Sequence, residues 1–149
     1  MTTDSFPRQY ARTRRFSLGE PRDLRISPDH STVFFARSKS GSDPVTCLWA
    51  CDLDTGRERL IVDPSELNAK SERSDAERAV RERLRESAEG ITSYDTDHGC
   101  TTAVFTVSGS VFRVDLATGE LTAVEVGAGA FDPRLSPDGQ RLAVVTGTT

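Results

Sequence analysis

Internal repetition is the feature that most constrains what this chain can fold into. Three similar turns are each followed by a short apolar run, at residues 33–36, 103–105 and 142–145. The turns are Ser27-Pro28-Asp29-His30, Thr96-Asp97-His98-Gly99 and Ser136-Pro137-Asp138-Gly139. Proline fixes φ, aspartate accepts hydrogen bonds from nearby amides, and glycine supplies a positive φ. Each segment therefore predicts a tight turn that leads into a strand.

A second motif follows two of these strands. The segment Trp49-Ala-Cys-Asp-Leu-Asp-Thr-Gly56 matches Phe112-Arg-Val-Asp-Leu-Ala-Thr-Gly119, and short strand-like runs follow at 59–62 and 121–124. Each repeat thus predicts three or four consecutive antiparallel strands.

The spacing of the repeats predicts the architecture. The second and third turns begin at 96 and 136, which is 40 residues apart, and propeller blades run about 40–45 residues. The first two turns begin 69 residues apart, and the excess of 29 residues matches an insertion at 65–90. We therefore predict an all-β fold, a partial β-propeller over residues 22–149 after an N-terminal segment at 1–21. It should contain about two blades plus the start of a third, with antiparallel sheets at about 22–64, 91–127 and from 130 onward.

The insertion has the features of one inserted α-helix at about 74–89. Ser74 and Glu77 form a capping box, and Gly90 is a typical residue after a helix end. An i, i+4 apolar stripe supports the helix, and three arginines share another face. The stripe is Ala76, Val80, Leu84 and Ala88, and the arginines are Arg78, Arg81 and Arg85.

Charge and composition exclude several classes of function. The formal net charge is −4 and the pI is about 5.2, so we expect no nucleic-acid partner and no binding to anionic membranes. Residues 1–15 contain no uninterrupted apolar run, which predicts a cytoplasmic protein. The three cysteines, Cys47, Cys51 and Cys100, are expected to be buried free thiols because no second Cys/His pair completes a metal site. We expect no cofactor.

Three segments carry a resemblance to a known family. Residues 81–95, Arg-Glu-Arg-Leu-Arg-Glu-Ser-Ala-Glu-Gly-Ile-Thr-Ser-Tyr-Asp, resemble the arginine-rich helix and following strand of dipeptidyl peptidase IV-family enzymes, particularly the cytosolic subgroup. Residues 6–19 and 21–29 are similar to the start of bacterial members. The resemblance extends over essentially the whole chain.

The resemblance implies an N-terminal propeller that controls access to a C-terminal α/β-hydrolase domain. Such enzymes release dipeptides from peptide N-termini, usually after proline or alanine. An arginine of the inserted segment would bond a substrate carbonyl, and Arg85 is the first candidate and Arg81 the second. The expected partners are a peptide substrate and the hydrolase domain.

The chain itself lacks the family's chemistry. It contains no Gly-x-Ser-x-Gly nucleophile motif and no adjacent pair of glutamates for binding the substrate's amino group. Its two histidines, His30 and His98, lie in the repeated turns, where we expect a local structural role. We therefore predict a fragment that recognises and gates substrate and has no catalytic residue.

Two other functions are compatible with the sequence. The chain could belong to a non-catalytic binding propeller of the TolB or WD type, or be an inactive truncated remnant. An incomplete ring should also leave an open apolar flank, so we expect a marginal or self-associating chain. The residues expected to lose cover are Phe34, Val104, Phe105, Leu142 and Val144.

Overall fold

A computed structural model describes residues 5–67, 90–127 and 129–146. Three antiparallel sheets follow one another along the chain, with four, four and two strands in sequence order. We call them blades 1, 2 and 3. Blade 1 comprises β1 (Arg22–Ile26), β2 (Thr32–Ser38), β3 (Thr46–Asp52) and β4 (Glu58–Val62). Blade 2 comprises β5 (Ser93–Thr96), β6 (Thr102–Val107), β7 (Ser110–Asp115) and β8 (Leu121–Val124), and blade 3 comprises β9 (Ala130–Leu135) and β10 (Leu142–Thr146).

This arrangement confirms the predicted fold class. Neighbouring strands in each blade are consecutive in sequence and pair as antiparallel hairpins. The blade limits agree with the predicted sheets to within a few residues. In the second hairpin motif, Asp52 accepts hydrogen bonds from the amides of Asp54 and Thr55, and Gly56 takes a φ of +69°. Asp115 repeats these bonds before Gly119, as the matching sequences indicate.

The structure of the three turns confirms that they are repeats. The second turn, however, begins one residue later than the sequence alignment predicted. The backbone amides of three residues, Ser27, Asp97 and Ser136, each donate a hydrogen bond to the carbonyl oxygen of the residue five positions later. The left-handed residue follows three positions after each of them, at His30 (+60°), Cys100 (+51°) and Gly139 (+68°). Gly99 is therefore not the left-handed residue of the second turn.

The physical reason for this shift is the side chain of Asp97. In turns one and three a serine hydroxyl accepts a hydrogen bond from the backbone amide five residues later. An aspartate two residues after that serine accepts further hydrogen bonds. In turn two the Asp97 carboxylate accepts the amides of both Thr101 and Thr102. One carboxylate thus replaces a serine and an aspartate, which is why matching the aspartates misaligns the repeats.

The N-terminal segment contains a helix that the sequence analysis did not predict. Helix α1 spans Phe6–Arg12, with a proline in its first turn. It ends before three consecutive left-handed residues, Arg14, Arg15 and Phe16. The predicted inserted helix at 74–89 lies outside the described residues.

The main apolar core lies between blades 1 and 2. It is built from one face of each sheet, and several members are completely buried, including Leu48, Ala103, Phe105 and Val114. The opposite face of blade 2 packs on blade 3 and buries Val104 to 1% exposure.

These burial values correct the prediction about the open flank. Phe34, Val104 and Phe105 are 5%, 1% and 0% exposed, because blades 1, 2 and 3 cover one another. Leu142 and Val144 are half-buried. Most of the exposed apolar side chains of the strands instead lie on the outermost blades, at Leu24, Ile26, Leu60, Phe131 and Val145, and Leu121 on blade 2 is also 38% exposed.

The three cysteines are free, as predicted, but only one is fully buried. Cys47 is completely buried, whereas Cys51 and Cys100 are half-buried. Burial, followed by the nearby Asp63 carboxylate, raises the pKa of the Cys47 thiol to about 12. This cysteine therefore remains a protonated, unreactive thiol at neutral pH.

Candidate functional site

The first strands of the three blades are connected through the side chain of Asp95 on β5. Its carboxylate lies 3.5 Å from the guanidinium of Arg25 on β1. It also accepts a hydrogen bond of 3.0 Å from the amide of Leu135 on β9. Because one side chain touches both neighbouring blades, β1, β5 and β9 must converge, and we call their shared surface the inner wall.

Charged side chains occupy equivalent positions along the inner wall. Arg25, Asp95 and Arg134 each stand two residues before the start of a repeated turn. Two residues earlier, Asp23 and Asp132 both adopt left-handed φ values, +54° and +49°. Non-glycine residues rarely take this conformation, and when they do it is usually Asn or Asp in a defined local role. The repeat thus places charged groups on the wall at regular intervals.

The two wall arginines differ in accessibility and partners. Arg134 donates to Asp132 over 2.8 Å, and both side chains are at least half exposed. Arg25 has a 43% exposed side chain, whereas its partner Asp95 is 14% exposed. Since an exposed ion pair contributes little to stability, the Arg134 guanidinium can exchange its carboxylate for another acceptor at small cost.

Tyr94 fixes the position of blade 1 against blade 2 just behind the wall. Its side chain is buried, and its hydroxyl contacts the carbonyl oxygen of Asp23 and donates to that of Phe34 over 3.1 Å. Burial raises the pKa of this phenol above its usual value, so Tyr94 stays protonated at neutral pH. A second link runs from the guanidinium of Arg59 to the carbonyl oxygen of Leu116, at 2.7 Å.

The root of the insertion lies at one end of blade 1. The amide of Ile91 donates to the carbonyl oxygen of Thr46, and Gly90 forms an isolated bridge with Thr46. At the other root Asp63 is buried and accepts bonds from Lys39 and from Ser65. The two roots therefore flank the start of β3, at one end of blade 1.

A cleft of about 150 Å³ opens beside this root. It lies between the N-terminal segment and blade 1, and its lining includes Arg14, Leu18, Arg22, Arg37 and Thr46. Thr46 is shared by the cleft and the root, so the N-terminal segment and the root at Gly90 lie at the same end of blade 1. The predicted substrate-binding residues, Arg81 and Arg85, belong to the insertion but lie outside the described residues.

The described residues contain no cluster of three or more His, Cys, Asp or Glu side chains that could hold a metal ion. His30 and His98 lie in the repeated turns, where the amide of His98 donates to Pro137 of the next turn. Over the same part of the chain, no helix is long and apolar enough to cross a membrane.

Sequence reasoning missed the inner wall, although a signal for it was present. Asp23-Leu-Arg-Ile-Ser-Pro-Asp29 and Asp132-Pro-Arg-Leu-Ser-Pro-Asp138 share the same spacing of aspartate, arginine and turn. Comparing the residues before the turns, as well as those after them, would have revealed it.

No family model matches the chain. Among solved structures, its fold is similar to that of a chain from a structural and mechanistic analysis of two prolyl endopeptidases, with a TM-score of 0.57 and 15% identity over 96% of this chain and 20% of that one. It is also similar to the tricorn protease, with a TM-score of 0.54 and 19% identity over 84% of this chain and 10% of that one. TolB from Acinetobacter baumannii gives a TM-score of 0.53 and 15% identity over 83% of this chain and 26% of that one.

The chain therefore spans about a quarter or less of the length of these neighbours. Identities this low show the fold alone. The fold is a segment of a β-propeller, of a kind found both in peptidases and in TolB.

Proposed function

We propose that this chain forms the opening blades of the propeller of a cytoplasmic serine dipeptidyl peptidase, where it recognises and gates peptide substrates. Catalysis would belong to an α/β-hydrolase domain outside this chain. The observation that supports the proposal is the inner wall, where Arg25, Asp95 and Arg134 project from three successive first strands. Guanidinium groups in this setting can donate to peptide carbonyl oxygens at any physiological pH.

The inserted segment would supply the second part of the recognition site. In the resembled family an arginine of this segment bonds a substrate carbonyl, and Arg85 and Arg81 are its counterparts here. Both roots of the insertion lie at the end of blade 1 where the N-terminal cleft opens. A segment rooted there can extend past the rim of the propeller toward a domain stacked on that end.

The coding sequence downstream of Thr149 tests the enzyme assignment directly. The proposal requires further blades and then a Gly-x-Ser-x-Gly motif about 400 residues on, followed by Asp and His. Further blades that end without this motif would instead indicate a binding propeller of the TolB type, whose solved example has a similar fold.

A binding measurement tests the role of the inner wall in the chain itself. We expect a fluorescently labelled Xaa-Pro peptide to bind weakly, with no hydrolysis of a chromogenic Xaa-Pro substrate. Arg134→Gln should weaken binding several-fold, whereas Arg113→Gln, an exposed arginine on β7 rather than on a first strand, should not. If both variants bind the peptide equally well, the inner wall is not part of the binding site.

A further inference from the structure

Helix α1 and the turn after it carry three aromatic rings that pack on one another. Phe6 and Tyr10 lie about one helical turn apart, and the left-handed residues at 14–16 bring Phe16 back beside them. The three ring centres are 5.9, 6.1 and 5.9 Å apart, so each ring lies against the other two. We call Phe6, Tyr10 and Phe16 the aromatic cluster.

The aromatic cluster lies on the surface of the described residues. Its three side chains are 67%, 42% and 53% exposed, and no residue of α1 is buried. Single exposed apolar residues are common, but three large rings held together in water are typical of a surface that another element covers. The cluster therefore has the properties of a docking site.

The N-terminal segment brings this cluster to the end of blade 1 where the insertion is rooted. Arg14, two residues before Phe16, lines the same cleft as Thr46. Gly90 bridges to Thr46, and the amide of Ile91 donates to the Thr46 carbonyl oxygen. The C-terminal end of the insertion is thus fixed across a single cleft from the N-terminal segment.

The insertion has an apolar surface of suitable size for the cluster. Residues 68–89 separate the two roots, Leu67 and Gly90. The helix predicted at 74–89 would be about 24 Å long, which is enough to reach from the root at Gly90 across the cleft. Its apolar stripe would extend over about 18 Å, and three rings with centres about 6 Å apart fit within that length. A helix this short is marginal in water by itself, so it needs a surface to pack on.

We propose that the aromatic cluster is the docking site of the insertion, whose apolar stripe packs on the three rings. Both partners belong to this chain, so the contact is compatible with further blades and with a hydrolase domain. The face that carries Arg81 and Arg85 lies roughly 110° around the predicted helix from the stripe, so docking leaves these arginines uncovered. Their presentation to a substrate rests on the proposed function, whereas the contact itself does not.

Hydrogen exchange followed by mass spectrometry tests the contact in the whole chain. The amides of residues 74–89 should exchange slowly in the wild type, because an unsupported helix of this length opens readily. Phe16→Asn removes one ring and should speed their exchange about tenfold or more. Asparagine tolerates the left-handed φ of +62° at this position, so the substitution keeps the backbone conformation.

His30→Asn is the matched control for the substitution at Phe16. His30 is also exposed and has a left-handed φ of +60°. It lies in the turn before β2, at the opposite end of blade 1 from the cleft. The exchange of residues 74–89 should be unchanged in this variant.

A reciprocal substitution tests the same contact from the side of the insertion. Leu84→Ser, in the stripe, should speed exchange at residues 6–16 as well as at 74–89. Glu82→Ser is the control, because glutamate and leucine have similar helix propensities but position 82 lies opposite the stripe on the helical wheel. It should leave residues 6–16 unchanged. Thermal melts followed by circular dichroism check that the blades of each variant are folded.

Three results would overturn the proposal. The first is fast exchange of residues 74–89 in the wild type, and the second is an equal response to Phe16→Asn and His30→Asn. The third is exchange of residues 6–16 that does not respond to Leu84→Ser, which would assign the aromatic cluster to another occupant. Protection that rises with protein concentration would identify a second copy as that occupant, and protection found only in a longer parent protein would identify a domain outside this chain.

Discussion

Replacing Gly90 by alanine should destabilise the fold far more than the same substitution at another left-handed glycine. Gly90 has a φ of +82°, and a Cβ built on it would lie 2.4 Å from both the amide nitrogen and the carbonyl oxygen of Thr46. Real Cβ atoms do not approach backbone so closely, so the bridge between Gly90 and Thr46 has to open. Gly56 is the control, with a φ of +69° and nothing within 4 Å of the added carbon.

The magnitudes follow from these two environments. A left-handed alanine costs about 1–2 kcal/mol in either position. At Gly90, opening the bridge adds the loss of the Ile91 to Thr46 hydrogen bond and leaves buried polar groups unpaired, about 2 kcal/mol more. The entropy that alanine removes from the unfolded chain is shared by both variants and cancels. For a chain of this size, the extra destabilisation lowers Tm by about 4–8 °C.

Urea unfolding followed by circular dichroism, together with thermal melts, measures the difference. We expect Gly56→Ala to unfold slightly earlier than wild type, and Gly90→Ala to unfold much earlier with an unchanged urea m-value. If the two variants have free energies of unfolding within about 0.5 kcal/mol, the close packing of Gly90 on Thr46 does not anchor the root of the insertion.

Three further substitutions probe other contacts. Tyr94→Phe removes the hydroxyl that donates to Phe34 and should lower the free energy of unfolding by about 1–2 kcal/mol, measured in urea. Asp95→Asn weakens the contact with Arg25 and should lower thermal stability more in low salt than in high salt, as measured by calorimetry. Burial alone would raise the pKa of Asp63, but hydrogen bonds from Lys39 and Ser65 outweigh it and hold the pKa below the usual range. This stabilisation is present above the unfolded pKa of about 4 and is lost on acidification, so Asp63→Asn should flatten the fall in Tm below pH 4.

The blades were predictable from sequence because their signals are local. In the turns and the Asp-Leu-x-Thr-Gly hairpins, side chains form hydrogen bonds with the backbone two to five residues away. A short segment of sequence is therefore enough to specify each turn. The one-residue error at the second turn arose where Asp97 replaces two residues of the usual pattern.

Features that depend on contacts between blades were not predictable. The repeat places Arg25 and Asp95 two residues before successive turns, but it does not specify that these side chains, 70 positions apart, meet. The open flank was misjudged for the same reason, because the burial of Phe105 depends on the neighbouring blade. Helix α1 is only seven residues long and has no buried side chain, so it lacks the apolar stripe by which helices are recognised.

The links between blades 1 and 2 have a consequence for how the sequence can change. Tyr94 reaches the carbonyl oxygen of Phe34, and Arg59 reaches that of Leu116, so both acceptors are main-chain atoms. A main-chain acceptor is present whatever side chain its residue carries. Each link is therefore specified by one residue only, and mutations at position 34 or 116 can alter packing but cannot delete the acceptor. In random mutagenesis with selection for folding, we therefore expect Tyr94 and Arg59 to require a polar side chain more strictly than the residues that they contact.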